Sequence, residues 1–470
     1  MKQHWIVMSL ILAIGSVWVL PTGAAPPGAN HITVTSFGAR GDGANDDTAA
    51  IQAAINALES RGGGTLTIPR GTYLLNSYKP SPHPWYFYNL RVGSNITVQG
   101  EPGARLLQGP SGRAKMAAIP GATEVATSVL VFGSSNFVIN TFQDKTYNGG
   151  FYSLHATHAN DRSVMLAAPA QASKFRVGDY VAIYAEDPTG KDVIPSESSP
   201  VTSVSPSGVL GLKHPLTRAF PAPLMAKVTS LATVNVGVNN LIIQGTIPLN
   251  VNEVFGFAAT RNTFLCDTSI GDGNLYSLIW NNLHGVHFEH NTVTSIGPHY
   301  VPLELPQRNS QDVVIASNTI NMRAVGFGEY AAHWILTDNT ISVHPDHLPS
   351  GAAVFFGGYD ILFRHNHVQG SATTLPLIAD WVGLSSYAPY VGRIRIENNV
   401  FDCRAEGANC LNIAGRDTTV TDNVFNIIGN CGEAILVEGP LPQTIRIDGN
   451  SLWVENGMGI VLNRDRKSVV

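Results

Sequence analysis

Residues 32–75 read ITVTSFGARGDGANDDTAAIQAAINALESRGGGTLTIPRGTYLL. Within this stretch, five apolar residues recur at helical spacing: Ala50, Ile51, Ala54, Ile55 and Leu58. Asn45, Asp46 and Asp47 offer N-cap oxygens, and the glycines at 62–64 end the predicted helix. A short strand precedes the helix and two strands follow it. The pattern therefore predicts one helix whose apolar face covers a strand-rich body.

The segments FGARGDG and DDTAAIQAAI, followed by GGGTLTIPRGTYLL, closely resemble the start of the pectate-lyase-like superfamily, in particular its rhamnogalacturonase/epimerase-like domain. Members of that superfamily are right-handed parallel β-helices. The resemblance implies an all-β solenoid whose open end is capped by the helix. The motif is structural in that family, so the resemblance assigns no catalytic residue.

A second pattern begins near Phe288, where one phrase recurs: apolar, any, apolar, two polar positions, Asn, any, apolar. The asparagines of these phrases are Asn291, Asn318, Asn339, Asn366, Asn399, Asn423 and Asn450. A period in the twenties with strand-like alternation indicates a solenoid in which each coil buries its apolar side only against its neighbours. We expect the asparagines to take the left-handed conformation at a bend and to stack their carboxamides along the axis.

The amino-acid composition limits the kinds of binding partner that we expect. Charged residues make up 13% of the chain and the net charge is −5, so no polybasic surface for nucleic acid is visible. Residues 1–25 read as a secretory signal peptide, and no later apolar run reaches the roughly 18 residues of a membrane span. The sequence thus predicts an exported protein, extracellular or periplasmic, with no membrane partner.

Domain boundaries follow from these patterns. Residues 26–154 are predicted to hold the cap and first coils, 155–230 an inserted β-rich subdomain, and 231–470 the main coils. The last strand-like phrase has no polar cap after it. Either the sequence is truncated there or the last coil is covered by another chain, as in a homo-oligomer.

The four cysteines fit an oxidising compartment. Cys403 and Cys410 are close enough in sequence to staple the loop CRAEGANC with a disulfide. For Cys266 and Cys431 the sequence leaves three alternatives open: free, buried, or paired in a different way.

Candidate catalytic residues come from alignment of the repeats. The strand before each Asn phrase is predicted to face a groove. Four such strands carry a carboxylate, and three of these acids are the candidates: Glu304, Glu329 and Asp380. Strands of neighbouring coils lie about 4.8 Å apart, so Glu304 and Glu329 would both reach one glycosidic bond. Asp380 would lie two strands beyond Glu329, about 10 Å along the solenoid axis. These spacings bracket the carboxylate separations of retaining and inverting glycosidases. The three acids are predicted to act as general acid and as base or nucleophile.

Aromatic faces and forked donors near these acids suit a sugar groove. The predicted substrate-binding residues are Tyr300, Arg308, Tyr330, His333 and Trp381. No metal site is predicted, because the His-rich segments 344–347 and 365–367 read as solvated turn and strand positions. No cofactor is expected, except Ca²⁺ if the protein is a lyase.

Three functions remain open, each with a polysaccharide as partner. The first is a glycoside hydrolase, similar in architecture to the polygalacturonases. The second is a polysaccharide lyase acting on a uronate polymer. Because residues 228–466 contain no lysine, its base would be an arginine of the coils or a residue of the inserted subdomain. The third is a non-catalytic polysaccharide-binding or adhesion β-helix.

Overall fold

The computed structural model describes most of the chain after the first 29 residues. The described stretches are 30–80, 86–110, 126–133, 152–186, 193–220, 225–267, 278–296, 303–305, 310–322, 325–344, 354–372, 378–380, 392–407, 409–413, 417–438 and 444–463. The predicted signal peptide at 1–25 lies outside these residues. No helix in these stretches has the length and apolar character needed to cross a membrane.

The chain folds almost entirely as strands. The N-terminal elements are β1 His31–Thr33, a 3-10 helix Val34–Phe37, β2 Asp42–Asp46, α1 Thr48–Ser60, β3 Gly64–Ile68, β4 Gly71–Leu75, β5 Lys79–Pro80, β6 Tyr86–Val92, β7 Ile96–Gly100, β8 Ala104–Gln108 and β9 Ala126–Gly133. The next elements are β10 Tyr152–Ser153, β11 Ser163–Met165, a 3-10 helix Pro169–Lys174, β12 Tyr180–Glu186, β13 Val193–Val204, β14 Val209–Leu212 and β15 Met225–Leu231.

The main coils follow. Their strands are β16 Thr233–Asn239, β17 Ile242–Gly245, β18 Ile247–Thr260, β19 Thr263–Asp267, β20 Leu278–Glu289, β21 Thr292–Ile296, β22 Leu303–Leu305, β23 Gln311–Ala316, β24 Thr319–Met322, β25 Val325–Thr337, β26 Thr340–Val343, β27 Val354–Arg364, β28 His367–Ala372, β29 Ile378–Asp380, β30 Gly392–Glu397, β31 Val400–Glu406, β32 Leu411–Ile413, β33 Thr418–Thr421, β34 Val424–Glu438, β35 Ile445–Asp448 and β36 Ser451–Asn463.

Each coil pairs in parallel with the next, and the pairings fall into three faces. The first sheet runs from β6 and β9 through the N-terminal halves of β18, β20, β25 and β27 to β29 and β32, with β22 beside β25. The second sheet includes the C-terminal halves of those long strands with β23, β30, β33 and β35. The third sheet includes β19, β21, β24, β26, β28, β31 and the start of β34. The protein is a right-handed parallel β-helix, as the sequence predicted.

Alternation along each strand places one set of side chains inside. Val286, Phe288 and Leu336 are fully buried in one continuous core. Val313 and Ile315 also fill the core, whereas Val314 between them takes an outward position.

The bend between the second and third sheets holds the asparagine ladder. Seven of its members are each 1% exposed: Asn262, Asn291, Asn318, Asn339, Asn366, Asn399 and Asn423. The Oδ1 of Asn318 accepts the backbone N–H of Asn291 at 2.8 Å, and Asn318 Nδ2 donates to the Phe288 carbonyl at 2.8 Å. The same bonds repeat down to Asn450. The predicted ladder is confirmed, with Asn262 as an additional member.

The left-handed residue at this bend is not the asparagine, contrary to the sequence prediction. It is the residue before it, with φ between 52° and 66°, at Arg261, His290, Ser317, Asp338, His365, Asn398, Asp422 and Gly449. The asparagine is the next residue, where its side chain points inward and its own N–H meets the following carboxamide. The ladder therefore selects Asn for its hydrogen bonds rather than for its backbone preference.

Helix α1 closes the N-terminal end, with Ile51, Ile55 and Leu58 buried against the first coils. Asp47 was predicted as an N-cap, but its buried carboxylate accepts the backbone N–H groups of Arg40 and Gly41 at 2.7 and 3.0 Å. The capping bond comes from Asp46, whose Oδ1 accepts the Thr48 N–H at 3.0 Å.

Strands β10 to β15 form a separate six-stranded antiparallel sheet in the order β10-β15-β12-β13-β14-β11. We name this body the insert lobe, residues 152–231. It has its own buried core, which includes Leu166, Ile183 and Leu210. The lobe packs against the bend between the first and second sheets, where Tyr180 stacks on Phe255 with 3.7 Å between ring centroids.

The predicted disulfide is not formed. All four cysteines are buried, and none of them forms a disulfide bond. Cys403 and Cys410 do lie in hydrogen-bond contact, and this contact together with burial raises the pKa of Cys410 well above its usual value. With Cys431 nearby, the thiols pack in the core as small apolar groups.

Candidate functional site

The three predicted acids all lie on first-sheet strands, but not at one register position. Glu304 on β22 pairs with Gly326, so Glu329 is three residues further along β25. Asp380 on β29 pairs with Phe356, whereas Glu304 aligns with Phe355, the residue before it. The strands thus neighbour one another as predicted, and the spacing of the acids along them differs. Their catalytic roles stay a prediction.

The predicted binding residues divide by position. Tyr300, Arg308 and Trp381 lie outside the described residues. Tyr330 follows Glu329 on β25, where the pairing with β27 is interrupted between Phe327 and Ala331. At this interruption, β25 leaves the first sheet and enters the next bend.

That bend, between the first and second sheets, we name the first bend. Its left-handed residues have φ between 49° and 76° and are Asn235, Gly256, Gly285, Asp312, His333, Asp360, Arg393 and Asp417. His333 is half-buried, and its Nδ1 lies 3.2 Å from Asp312 Oδ1 on the preceding coil. An imidazole held by a carboxylate in this way has a fixed orientation.

Tyr359, one rung beyond Ala332, forms the centre of a charged cluster at the first bend. The Arg218 guanidinium of the insert lobe lies 5.8 Å from its ring centroid, and the Arg393 guanidinium lies 5.4 Å from it. Arg393 also hydrogen-bonds the Tyr359 side chain, and this bond, with the nearby Asp360 carboxylate, raises the pKa of Arg393. A phenol therefore lies between two cations.

The lobe side of the cluster is buried and tightly paired. Glu197 on β13 is 6% exposed and lies 3.2 Å from Arg218 Nε. The same carboxylate accepts the backbone N–H groups of Thr217 and Arg218 at 2.6 and 2.9 Å. Burial lowers the pKa of Arg218, although Glu197 opposes that effect. Glu197 thus fixes Arg218 against Tyr359.

The solenoid side of the cluster is more open. The Arg393 side chain is 56% exposed and lies 3.5 Å from Asp360 Oδ1. Because Arg393 is accessible while Arg218 is held by Glu197, Arg393 is the cation available to an incoming anionic group.

Between the contacts at Phe255 and Tyr359, the first bend has three buried residues, His284, Gln311 and Ala332. Phe255, His284, Gln311, Ala332 and Tyr359 form one register column over five successive coils. His284 is fully buried, and burial lowers its pKa to about 4, so the ring is neutral at pH 7. The lobe therefore meets the solenoid along a continuous line rather than at one point.

Sequence reasoning found His333 but missed Tyr359, Arg218, Asp360 and Glu197. Tyr359 and Asp360 were visible in GGYDILF as polar residues directly before a repeat phrase. Arg218 had no such signal, because its contact with Tyr359 joins residues 141 positions apart through the insert lobe. Within the described stretches, no three His, Cys, Asp or Glu side chains form a group that could hold a metal ion.

The solenoid with its α1 cap defines the class: a right-handed parallel β-helix with a pectate-lyase-like N-terminal region. Residues 31–163 match the family model described as rhamnogalacturonase A/epimerase, pectate lyase-like. This match confirms the resemblance seen in the sequence for the cap and first coils.

Particular relatives share short segments with this chain. Over 68 residues, 14% of this chain, it is 65% identical to mannuronan C5-epimerase AlgE3 of Azotobacter vinelandii. Over 40 residues, 8% of this chain, it is 60% identical to alginate lyase 7 of the same organism. The chain spans 3% of the length of the epimerase and 5% of the length of the lyase.

The Streptococcus pneumoniae surface protein and adhesin PfbA is similar in structure. The alignment covers 92% of this chain and 100% of that chain, with 14% sequence identity and a TM-score of 0.49.

Proposed function

We propose that this protein acts on a uronate-bearing polysaccharide at the first bend, by removing the proton next to the sugar carboxylate. The observation that carries the proposal is Tyr359 between the guanidinium groups of Arg218 and Arg393. A guanidinium group can bind a substrate carboxylate, and a phenol beside it can donate a proton to the leaving oxygen.

Each residue has a role in this reaction. Arg393 pairs with the substrate carboxylate and stabilises the negative charge that develops there as the proton leaves. His333, oriented by Asp312, takes the proton from the carbon next to the carboxylate. The electron pair forms a carbon–carbon double bond as the glycosidic C–O bond breaks. Tyr359 donates a proton to the leaving oxygen, and Arg218 holds the phenol in place.

The relatives support the substrate class. Two proteins that share segments with this chain are named for mannuronan and alginate. An exported location, expected from residues 1–25, also fits a polymeric substrate.

A panel of polysaccharides tests the proposal. Turnover is followed by the absorbance of the unsaturated uronate and, in parallel, by new reducing ends. Elimination gives both signals. Tyr359→Phe keeps the ring between the arginines and removes only the hydroxyl, so we expect turnover to fall by about 10²-fold. Arg395→Gln is the matched control, because Arg395 is an exposed arginine on the same strand as Arg393.

Wild-type turnover in both Tyr359→Phe and His333→Gln would overturn the proposal. A rise in reducing ends without the absorbance would instead favour the second candidate, hydrolysis by Glu304, Glu329 and Asp380. The observation favouring hydrolysis is the position of Glu304, which aligns with Asn412 through the successive strand pairings of the first sheet. The positions on either side, aligned with Leu411 and Ile413, face the core, and that of Glu304 does not. Glu304→Gln and Glu329→Gln would then remove activity. Silence in both assays favours the binding module.

A further inference from the structure

A cavity of about 390 Å³ lies on the third sheet, away from the first bend. Its walls come from four successive strands, β26, β28, β31 and β34. Neighbouring strands are spaced by about 4.8 Å, so the cavity extends for about 14 Å along the solenoid axis. We name it the third-sheet groove. Its shape suits an extended chain that runs along the axis.

The walls of the third-sheet groove carry several polar side chains that hydrogen-bond one another. Gln369 Nε2 donates to Ser342 Oγ at 2.6 Å. Asp402 receives Asn426 Nδ2 at 2.8 Å and lies 2.6 Å from His367 Nε2. Partial burial raises the pKa of Asp402, but these two hydrogen bonds outweigh it and the pKa is lowered. The carboxylate therefore stays charged and holds its neighbours in fixed orientations.

One cation in the groove has no such partner. Arg404 is exposed, and within the described stretches no other side chain pairs with its guanidinium. It follows Asp402 by two residues on β31, so both side chains lie on the outer face. A guanidinium with open donors binds a carboxylate or sulfate in two-point geometry.

The groove continues onto the next coil through an aromatic residue. Trp453 on β36 pairs in register with Asn426 and is 58% exposed. Ile428, beside Arg404 in the groove, is also exposed. An apolar ring face next to polar side chains matches a sugar, which carries C–H faces as well as hydroxyl groups.

We propose that the third-sheet groove is a second binding site, for an acidic oligosaccharide. One acidic group of the ligand pairs with Arg404, and a sugar ring packs on Trp453. With Trp453 included, the site extends over five coils, about 19 Å. The site lies on a different face from the first bend, so it anchors the polymer and takes no part in bond cleavage.

Binding of an oligouronate to the full chain tests this proposal by isothermal titration. The background variant is Arg393→Gln, which weakens binding at the first bend. In this background, the added Arg404→Gln is expected to weaken the remaining affinity by about tenfold or more. Trp453→Ala is expected to weaken it to a similar degree. Arg364→Gln, an exposed arginine of the second sheet, is the control that leaves affinity unchanged.

Three results would overturn the proposal. The first is an affinity unchanged in both Arg404→Gln and Trp453→Ala. The second is binding of a neutral oligosaccharide as tight as that of the oligouronate. The third is a dimer that Trp453→Ala converts to a monomer with no loss of oligouronate affinity, since the exposed tryptophan would then be a contact between copies. Turnover on short substrates in Arg404→Gln separates the two sites, because it is expected to match the wild type.

Discussion

The first bend and the ladder bend of each coil have the same backbone conformation but different side-chain chemistry. At the first bend the left-handed φ values lie between 49° and 76°, and at the ladder bend they lie between 52° and 66°. The ladder bend is followed by an asparagine in eight successive coils, which is buried in the first seven and partly buried in the last. The first bend is lined by His333, Tyr359, Arg393 and other residues that differ from coil to coil.

This difference separates what holds the fold from what gives it chemistry. Asn291 to Asn423 hydrogen-bond one another along the axis, so replacing one of them leaves polar groups of the preceding coil unpaired. At the first bend, side chains contact one neighbour or the insert lobe. A first-bend residue can therefore be replaced without breaking a column.

The largest effect is expected where the insert lobe is anchored. Glu197→Ala removes the partner of Arg218 and three acceptor contacts to Thr217 and Arg218, so it should lower the stability of the lobe by about 3 kcal/mol. Amide hydrogen exchange should then accelerate in β12 to β15 and stay unchanged in the asparagine ladder. Glu197→Gln keeps the acceptor oxygen and should have a smaller effect. Equal acceleration in both bodies would contradict a separate lobe.

The next effect concerns the ladder. Asn339→Ala leaves the Asn318 N–H and the Ile315 carbonyl without a side-chain partner, so the free energy of unfolding should fall by about 2 kcal/mol. Urea denaturation measures the change. Asp338→Asn, one residue earlier, keeps a residue that tolerates the left-handed conformation and is the control. If Asn339→Ala is as stable as the control, the asparagine ladder does not contribute to the stability of the fold.

Acid should also destabilise the N-terminal cap. Backbone hydrogen bonds from Asn45 and Ala44 lower the pKa of Asp42 from 3.8 to about 2. Burial raises the pKa of Asp46, but bonds from Ser77, Thr48 and Asn76 outweigh it and lower the pKa. Both groups stabilise the fold above their unfolded pKa, and this contribution is lost as the pH falls from about 4 toward 2. Exchange in α1 should accelerate over this window, and Asp42→Asn should remove part of the dependence.

The smallest effect compares one substitution at both bends. Glycine relieves the left-handed backbone but loses more chain entropy on folding, so His333→Gly and Asp338→Gly should each change stability by less than about 1 kcal/mol. Only His333→Gly should lower turnover, since it removes the proposed base. Equal turnover in the two variants would show that the bends do not differ in function.

The sequence predicted the ladder because seven asparagines repeat the same phrase, and it predicted the cap because its elements are contiguous. It missed Asn262, although RNTF at 261–264 keeps the Asn-any-apolar order, because that coil comes before the clearest phrases. It could not predict the contact between Arg218 and Tyr359, which depends on how the insert lobe lies on the coils. The disulfide prediction was wrong because proximity of Cys403 and Cys410 in the chain does not distinguish a bond from two packed thiols.

The asparagine ladder also determines where this protein can grow. Successive ladder bonds connect residues 29, 27, 21, 27, 33, 24 and 27 positions apart, yet the hydrogen bonds between them have the same form. Extra residues are therefore accommodated outside the ladder bend without disturbing the stacking of the coils. Evolution, or an engineer, can lengthen a connection between coils by several residues and change what the surface binds, while the number of coils and their alignment stay the same.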